Sequence, residues 1–412
     1  MTTQLSYFIP QAHRNKISLC IPETFNLHIC PPSCVRRVSI RALRNHTRDH
    51  MAFYYLDEAD VISGRYCDAI GDAVQEVLDT YDGSIRGFYI YFNCIDDFLG
   101  TDEEDVLDQL HERFEGIAFS ILRMNPVSND VHLPTGSVIH SRLYELLRPS
   151  SVRDNGVNIV GTFVALDDDC ELLDVLGCQT QNVHTDETHN ALVRQLFECN
   201  SFDDYSVMSQ SALNLVLGGI GLYAAQCMET RLNIPYIKAF VSYDIDTVDA
   251  FYTELSQRYS LASACAAILS DARNEALASV DRCVGAVGSL PLVIDSSAFM
   301  CPFAACRALL KYGFNIRAIF AMHAKEFDEQ DRLWIIENHP EIDIIDSQSY
   351  QDIIALNIGS DVMCIGYDCA YMLRSSVYVD QYKDEGLFGY QAIRRLMNAM
   401  AASLDQRVEW ED

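Results

Sequence analysis

Apolar positions along this chain fall into two rhythms that take turns. Short unbroken apolar runs mark buried strands, and longer stretches with apolar residues every three or four positions mark amphipathic helices. In the first third, a helix is expected from near Asp57 to Tyr81, a strand over Ile85–Phe92, a helix over Glu103–Phe114 and a strand over Ile117–Arg123. The stretch 125–134 reads as a loop, and the Pro, Ser, Asp and Gly residues of 148–155 mark a boundary. A second unit follows, with strands over Val157–Leu166, Leu213–Leu217 and Pro235–Phe240. Its helices are expected at Asp167–Leu176, around Ser206–Met208 and at Leu222–Leu232, with one or two long helices over Thr247–Arg282. A third unit has strands over Leu290–Ile294, Ile316–Phe320, Ile342–Asp346 and Val362–Ile365, and helices over Cys301–Tyr312 and Gly389–Leu404. Strand–helix–strand alternation implies an α/β fold with parallel sheets covered on both faces. The natural division is 1–150, 151–285 and 286–412, each of ordinary domain size.

Composition narrows the classes. With 49% apolar residues in 412, the chain is globular and long enough for more than one core. A formal net charge of −29 disfavours nucleic acid and anionic membrane surfaces as partners. No apolar run approaches the ~20 residues of a membrane span, and the stretch 1–18 has no apolar signal core. A cytoplasmic protein is expected. Fifteen cysteines are many for that compartment and too scattered for a disulfide scaffold, which suits a reducing, anaerobic host.

Four cysteines are candidates for more than packing. Cys94 ends the apolar run 88–92, and the carboxyl end of a buried strand is where open α/β sheets place ligands. Cys30 and Cys34 flank Pro31 and Pro32 in what reads as a loop, and Cys20 lies upstream, two residues before another proline. Thiolates converging there suit an iron–sulfur cluster, because soft sulfur donors match iron. Asp97 is a candidate fourth ligand. Zinc and plain buried thiols are the competing readings. Arg37, Arg41, Arg44 and Arg48 follow at helical spacing, a local basic stripe suited to an anionic substrate or a cluster's charge, or simply a solvated face. His46 and His50 share a face in the same reading. Asp96 and Asp97 are candidates to supply protons, with surface-facing caps the favoured reading.

Other motifs are weaker. Gly219-Ile220-Gly221-Leu222-Tyr223-Ala224 fits a dinucleotide turn between strand and helix, though any βα turn benefits from glycine. Asp295 to Met300 leads into a helix start that Ser297 is expected to cap. The pairs Cys301/Cys306 and Cys364/Cys369 are spaced by five, which separates them on a helix. No P-loop, G-x-S-x-G elbow or H-E-x-x-H occurs.

These residues resemble nitrogenase component 1, the superfamily that also includes dark-operative protochlorophyllide reductase and chlorophyllide reductase. The resemblance rests on the segment Cys30 to Cys34, on 56–64 (LDEADVISG), and on Cys94 with Leu99-Gly100-Thr101-Asp102. It extends through Asn214, the turn 231–235 (RLNIP) and the closing segment Gly386–Leu396. It implies three Rossmann-like domains and an iron–sulfur cluster, four-iron four-sulfur or P-cluster-like, bridging a subunit interface. Cys34 matches the family's second cluster cysteine and Cys94 its third, with the first supplied by Cys20 or Cys30. Arg37, Arg41 and His28 are placed to tune the cluster. The resemblance further implies electrons from a separate ATP-dependent iron protein, which fits the missing P-loop, and pairing with a second component 1 type subunit, same or different. Cys265, Cys283 and His323 do not match the contexts that hold the molybdenum–iron cofactor, so a nitrogenase-like reductase of another substrate is implied. A non-catalytic scaffold for cofactor assembly, or a cluster- or tetrapyrrole-binding subunit, is the alternative.

Overall fold

A computed structural model describes residues 21–410 apart from 45, 64–65, 124–134, 178–192, 260–262, 323–325 and 348. Three sheets follow one another along the chain, and every strand pair in them is parallel. The first contains β1 (Thr24–Cys30), β2 (Met51–Tyr55), β3 (Gly87–Phe92) and β4 (Ala118–Arg123) in the order β2-β1-β3-β4. The second contains β5 (Val157–Val160), β6 (Val193–Gln195), β7 (Leu213–Val216) and β8 (Tyr236–Lys238) in the order β6-β5-β7-β8. The third contains β9 (Leu292–Asp295), β10 (Ile316–Phe320), β11 (Asp343–Ile345), β12 (Met363–Ile365) and β13 (Val377–Val379), ordered β11-β10-β9-β12-β13. Each sheet reverses its strand order once, between β1 and β3, between β5 and β7, and between β9 and β12. Such a switch leaves a crevice at the carboxyl ends of the two strands.

The first sheet is covered on both faces. Phe25, Leu27 and Ile29 of β1 point with Phe88, Ile90 and Phe92 of β3 into one core, under the helices Tyr66–Thr80 and Glu103–Arg113. The alternate residues face the other side, where Tyr89 and Tyr91 enter a core that reaches the second sheet through Tyr144, Tyr205 and Met228. There His28 stacks on Tyr91 at 4.2 Å between ring centroids, and the Tyr91 hydroxyl donates to Asn26 Oδ1 at 3.0 Å. The second and third sheets share the largest core, which also buries residues of the helices Ser263–Val287 and Gly389–Ser403.

Several sequence expectations shift. The stretch around Cys30 and Cys34 is not a loop: β1 runs to Cys30, and the helix Pro32–Arg44 starts almost at once. Pro32 begins that helix, where a missing N–H costs nothing. The helix ends at Arg44. Arg48 belongs to a separate short turn, Arg48–His50, and His46 adopts a left-handed φ of 56°, so the two histidines share no helical face. The long helix expected from Asp57 divides into Glu58–Ser63 and Tyr66–Thr80. The strand expected to run to Leu166 stops at Val160, where Gly161 turns the chain at φ 94°. Its backbone abuts Gly218, whose carbonyl oxygen would lie 2.7 Å from a Cβ on Gly161.

Candidate functional site

The switch point of the first sheet collects the thiols. Cys30 is the last residue of β1, Cys34 sits in the first turn of the helix that leaves β1, and Cys94 opens the helix Cys94–Leu99 that leaves β3. β1 and β3 are neighbours in register from Thr24↔Gly87 to His28↔Tyr91. Two segments distant in sequence therefore deliver their cysteines to one end of one sheet.

The turn carrying Cys94 is fixed by its neighbours. The Asn93 side-chain amide donates to the Ile29 carbonyl at 2.5 Å, which ties this turn to β1. Asn93 Oδ1 accepts from the Ile95 N–H at 2.8 Å, and the Asn93 N–H donates to Asp96 Oδ2 at 2.8 Å. Asp96 is thus a cap, as expected, but not a surface one: it is fully buried, and its Oδ1 has no hydrogen-bond partner. Burial raises its pKa, against the backbone N–H of Asn93 and the Tyr66 side chain, which lower it.

The thiols differ in environment. Cys30 is buried, and burial, then the neighbouring Cys34 and Asp96, push its thiol up to about 12. Cys34 is exposed and Cys94 half-buried. Cys67, half-buried in the helix Tyr66–Thr80, is raised by burial and by charges that include Asp96. The Asp96 carboxylate therefore acts on both Cys30 and Cys67, and the hydroxyl of Tyr66 beside Cys67 pairs with that of Thr101. His28 is held neutral, its pKa lowered to about 4 by burial, so it brings no positive charge to the crevice.

Among the described residues, no three His, Cys, Asp or Glu side chains converge closely enough to hold a metal ion. Cys30, Cys34 and Cys94 share the end of the sheet without closing a cage. Cys20 lies outside the described residues. Arg37 and Arg41 lie on the helix Pro32–Arg44 and Asp97 on Cys94–Leu99; their side chains lie outside the description. Asp96, Tyr66 and Cys67 are the additions to the site. The local signal for Asp96 was Asn93 followed three residues later by Asp, a pattern that caps a turn.

At the second crevice an aromatic ring covers the turn, and at the third a buried carboxylate holds the strand end. Gly219 stands between β7 and the helix Leu222–Leu232, the context of a dinucleotide turn. A Cβ on Gly219 would lie 2.2 Å from the Phe327 ring, which occupies the space over the turn. A pyrophosphate needs that space, so the geometry argues against a bound nicotinamide cofactor. In the third sheet, Asp295 at the end of β9 accepts from the N–H groups of Ser297 at 2.7 Å and Cys369 at 2.8 Å. Ser297 does not cap the helix Pro302–Lys311. That role falls to Asp328, which accepts from the N–H groups of Phe303 at 2.7 Å and Ala304 at 3.1 Å. Cys265, Cys283, Cys306, Cys364 and Cys369 are buried, as packing thiols are, and His323 is outside the described residues. A polar cleft of about 790 Å³ between Asp169, Gln381, Arg394 and Arg395 has both arginines paired to Asp169, at 2.8 Å each.

Comparison with known proteins gives one consistent result. A family profile described as nitrogenase component 1 type oxidoreductase matches residues 17–405. Among solved structures, one titled "Nitrogenase Cp1 at pH 6.5" superposes with a TM-score of 0.71 at 13% identity, covering 94% of this chain and 90% of that one. Another, "Nitrogenase Cp1 at pH 5", gives 0.61 at 13% identity, covering 93% and 85%. No curated protein sequence matches the chain.

Proposed function

The chain belongs to the nitrogenase component 1 type oxidoreductases, and from that premise we propose that it carries an iron–sulfur cluster at the carboxyl end of its first sheet. The ligands are Cys34, Cys94 and a third thiol, Cys20 or its rival Cys30, and the cluster is four-iron four-sulfur or P-cluster-like. The observation that carries the reading is the arrival of Cys30, Cys34 and Cys94 at one strand-order switch from two separate segments. The donor set fits such a group as part of a larger one. The three thiols share an end without enclosing a site, and Cys34 is open to a neighbour, as donors shared across an interface would be.

Such a cluster supplies electron transfer. The residues of this chain do the rest. Asn93 holds the Cys94 turn against β1. Cys30, a protonated thiol in its buried setting, releases its proton when it ligates a metal. Arg37 and Arg41, on the helix Pro32–Arg44, would offset the negative charge of a thiolate-ligated cluster. Asp97 is the carboxylate candidate for an additional ligand. Electrons come from a separate ATP-dependent iron protein, and the substrate is other than dinitrogen, since Cys265, Cys283 and His323 do not stand in the sequence contexts that hold the molybdenum–iron cofactor. A cytoplasmic location accords with thiols kept reduced.

Anaerobic purification, with iron and sulfide analysis and electron paramagnetic resonance, tests the reading. Iron and sulfide in near-equal amounts are expected, with iron lost in Cys94→Ala. A chain that takes up no iron after anaerobic reconstitution overturns the cluster, and unchanged iron in Cys94→Ala overturns the ligand assignment. Release of an intact cluster to a second protein, without turnover, would mark an assembly scaffold instead.

A further inference from the structure

We propose that a cavity at the edge of the first sheet, away from the thiols, binds a small organic cation with an apolar body, of the ammonium class. β2 is an edge strand, and its neighbour in the sheet is β1. The helix Tyr66–Thr80 packs Ile70 and Val74, both fully buried, into the core supplied by β1 and β3. Its adjoining face, Ala73, Glu76, Val77 and Thr80, recurs at helical spacing and turns toward β2. Ala73 on the helix and Ala52 on the strand are too short to close the gap. A cavity of about 370 Å³ remains, within the ~300–1,000 Å³ usual for small-molecule sites. It reaches Phe25 and Asp49, near the amino ends of β1 and β2, whereas the thiols stand at the carboxyl ends.

The walls and the charges select the occupant. Phe25 meets Tyr81 edge-on at 5.5 Å between ring centroids, and the Tyr81 hydroxyl lies 3.4 Å from His50 Nδ1. Tyr54 and Leu27 complete the apolar lining, and all four pack with the first sheet's core, so the walls are preformed. Asp49 and Glu76, both exposed, are the charged groups of the lining, with no Lys or Arg beside them. Among the described residues, neither carboxylate has an ion-pair partner. Aromatic faces carry negative potential and attract a cation, and the carboxylates add to it. An anion is repelled, and a neutral molecule fills the space without engaging the carboxylates. A hard metal ion needs six or more oxygens, which apolar walls do not offer. The net charge of −29 draws cations to the whole surface, so selectivity at this cavity comes from the ligand's apolar body.

The inference needs nothing from the proposed function. The test is isothermal titration calorimetry on the full chain, purified anaerobically, with three ligands of one shape: 2-phenylethylammonium, 2-phenylethanol and phenylacetate. The cation should bind saturably at one site with Kd below about 1 mM. The alcohol should bind at least about tenfold more weakly, and phenylacetate not at all. Ammonium chloride at equal concentration, a charge without an apolar body, should not compete. Glu76→Gln should weaken the cation severalfold and leave the alcohol unchanged, whereas Glu112→Gln, an exposed acid on the helix Glu103–Arg113, should change neither. Ala73→Leu fills the cavity and should abolish binding of both, with Tm measured alongside; the exposed Glu76→Gln keeps the test decisive if that variant does not fold. No saturable binding of the cation, equal binding of the alcohol, or an affinity indifferent to Glu76→Gln overturns the proposal. The affinity should be the same with and without iron, so a chain that lacks iron yet binds the cation would sink the cluster reading alone.

Discussion

The side-chain amide of Asn93 reaches the backbone carbonyl of Ile29 at 2.5 Å, so one buried side chain links the segment that carries Cys94 to the strand that carries Cys30. Asn93 also receives the Ile95 N–H on its Oδ1. Asn93→Ala should therefore leave a buried carbonyl and a backbone N–H without partners. The expected loss is about 1–3 kcal/mol of unfolding free energy, read by urea denaturation. Asn93→Asp keeps the Ile95 bond but sets a carboxylate against the Ile29 carbonyl, and should be no less harmful. A neutral Asn93→Ala would mean that the crevice is held by packing alone.

A second prediction concerns the closing helix. Glu171, fully within the core, accepts from the N–H groups of Tyr390 at 2.5 Å and Gln391 at 3.0 Å, and from the Tyr252 hydroxyl at 2.7 Å. It caps the helix Gly389–Ser403 from another part of the chain. Gly389 is needed there twice over. Its φ is 63°, and a Cβ on it would lie 2.1 Å from Glu171 Oε1. Glu171→Ala strands the helix N–H groups in the core and should cost about 2–4 kcal/mol. Gly389→Ala should cost a similar amount, through the clash and the backbone. Thermal unfolding of both variants checks this, and a wild-type Tm in either would refute the capping account.

These caps also show where the sequence was legible. β3 was plain because 88–92 (FYIYF) is apolar on both faces. β1 was hidden, because Asn26 and His28 alternate with Phe25, Leu27 and Ile29, and because two prolines follow it. The helix Leu222–Leu232 could be read to the residue, since Gly221 precedes it and Asn233, at φ 57°, ends it. Cys34 and Cys94 stood out as candidates, yet the sequence does not tell that Asp96 turns inward; the packing of the Cys94 helix decides that. The partners Asp328 and Glu171 lie far in sequence from the helix starts they cap, so no local pattern could announce them, and Ser297 was the nearer but incorrect candidate.

The third prediction is a pH dependence. Burial raises Asp384 to about 6 and Asp328 to about 7, and burial with the adjacent Asp368 raises Asp295 to about 6. An acid whose folded pKa lies above its unfolded one binds more protons folded than unfolded. Its contribution is complete below an ordinary carboxylate pKa near 4 and is lost as pH rises through 6–7. Asp169 works the other way. Partial burial opposes it, but hydrogen bonds from Arg395, Gln391 and Arg394 bring its pKa down to about 2. Its contribution is present above pH ~4 and lost as pH falls towards 2. Buried His28 and His140, lowered to about 4 and about 3 by burial, act against the acids, costing stability as pH falls below ~6.5. The three raised acids outweigh the two histidines, so a modestly higher Tm is expected near pH 5 than near pH 8. The net charge of −29 adds repulsion that acts in the same direction. Asp328→Asn should flatten the upper limb of the profile, and a Tm that rises steadily from pH 5 to 8 would contradict the assignment.

The last prediction concerns the turn at the second crevice. Gly219 lies face-on to Phe327, whose ring also meets Phe240 edge-on at 5.7 Å between centroids. The contact joins the turn after β7 to the short turn Glu326–Asp328 of the third sheet's region. Gly219→Ala inserts a methyl group where the ring already stands, and the ring is held by Phe240, so overpacking of about 1–3 kcal/mol is expected. Phe327→Ala removes the obstruction. If the glycines of this turn serve only to let Phe327 approach, neither the parent chain nor Phe327→Ala should bind NADH or NADPH in a fluorescence titration, and Phe327→Ala should lose stability through the cavity it leaves. Tight dinucleotide binding by the parent chain would overturn the reading of this turn as a packing device and return the nicotinamide hypothesis to the second sheet.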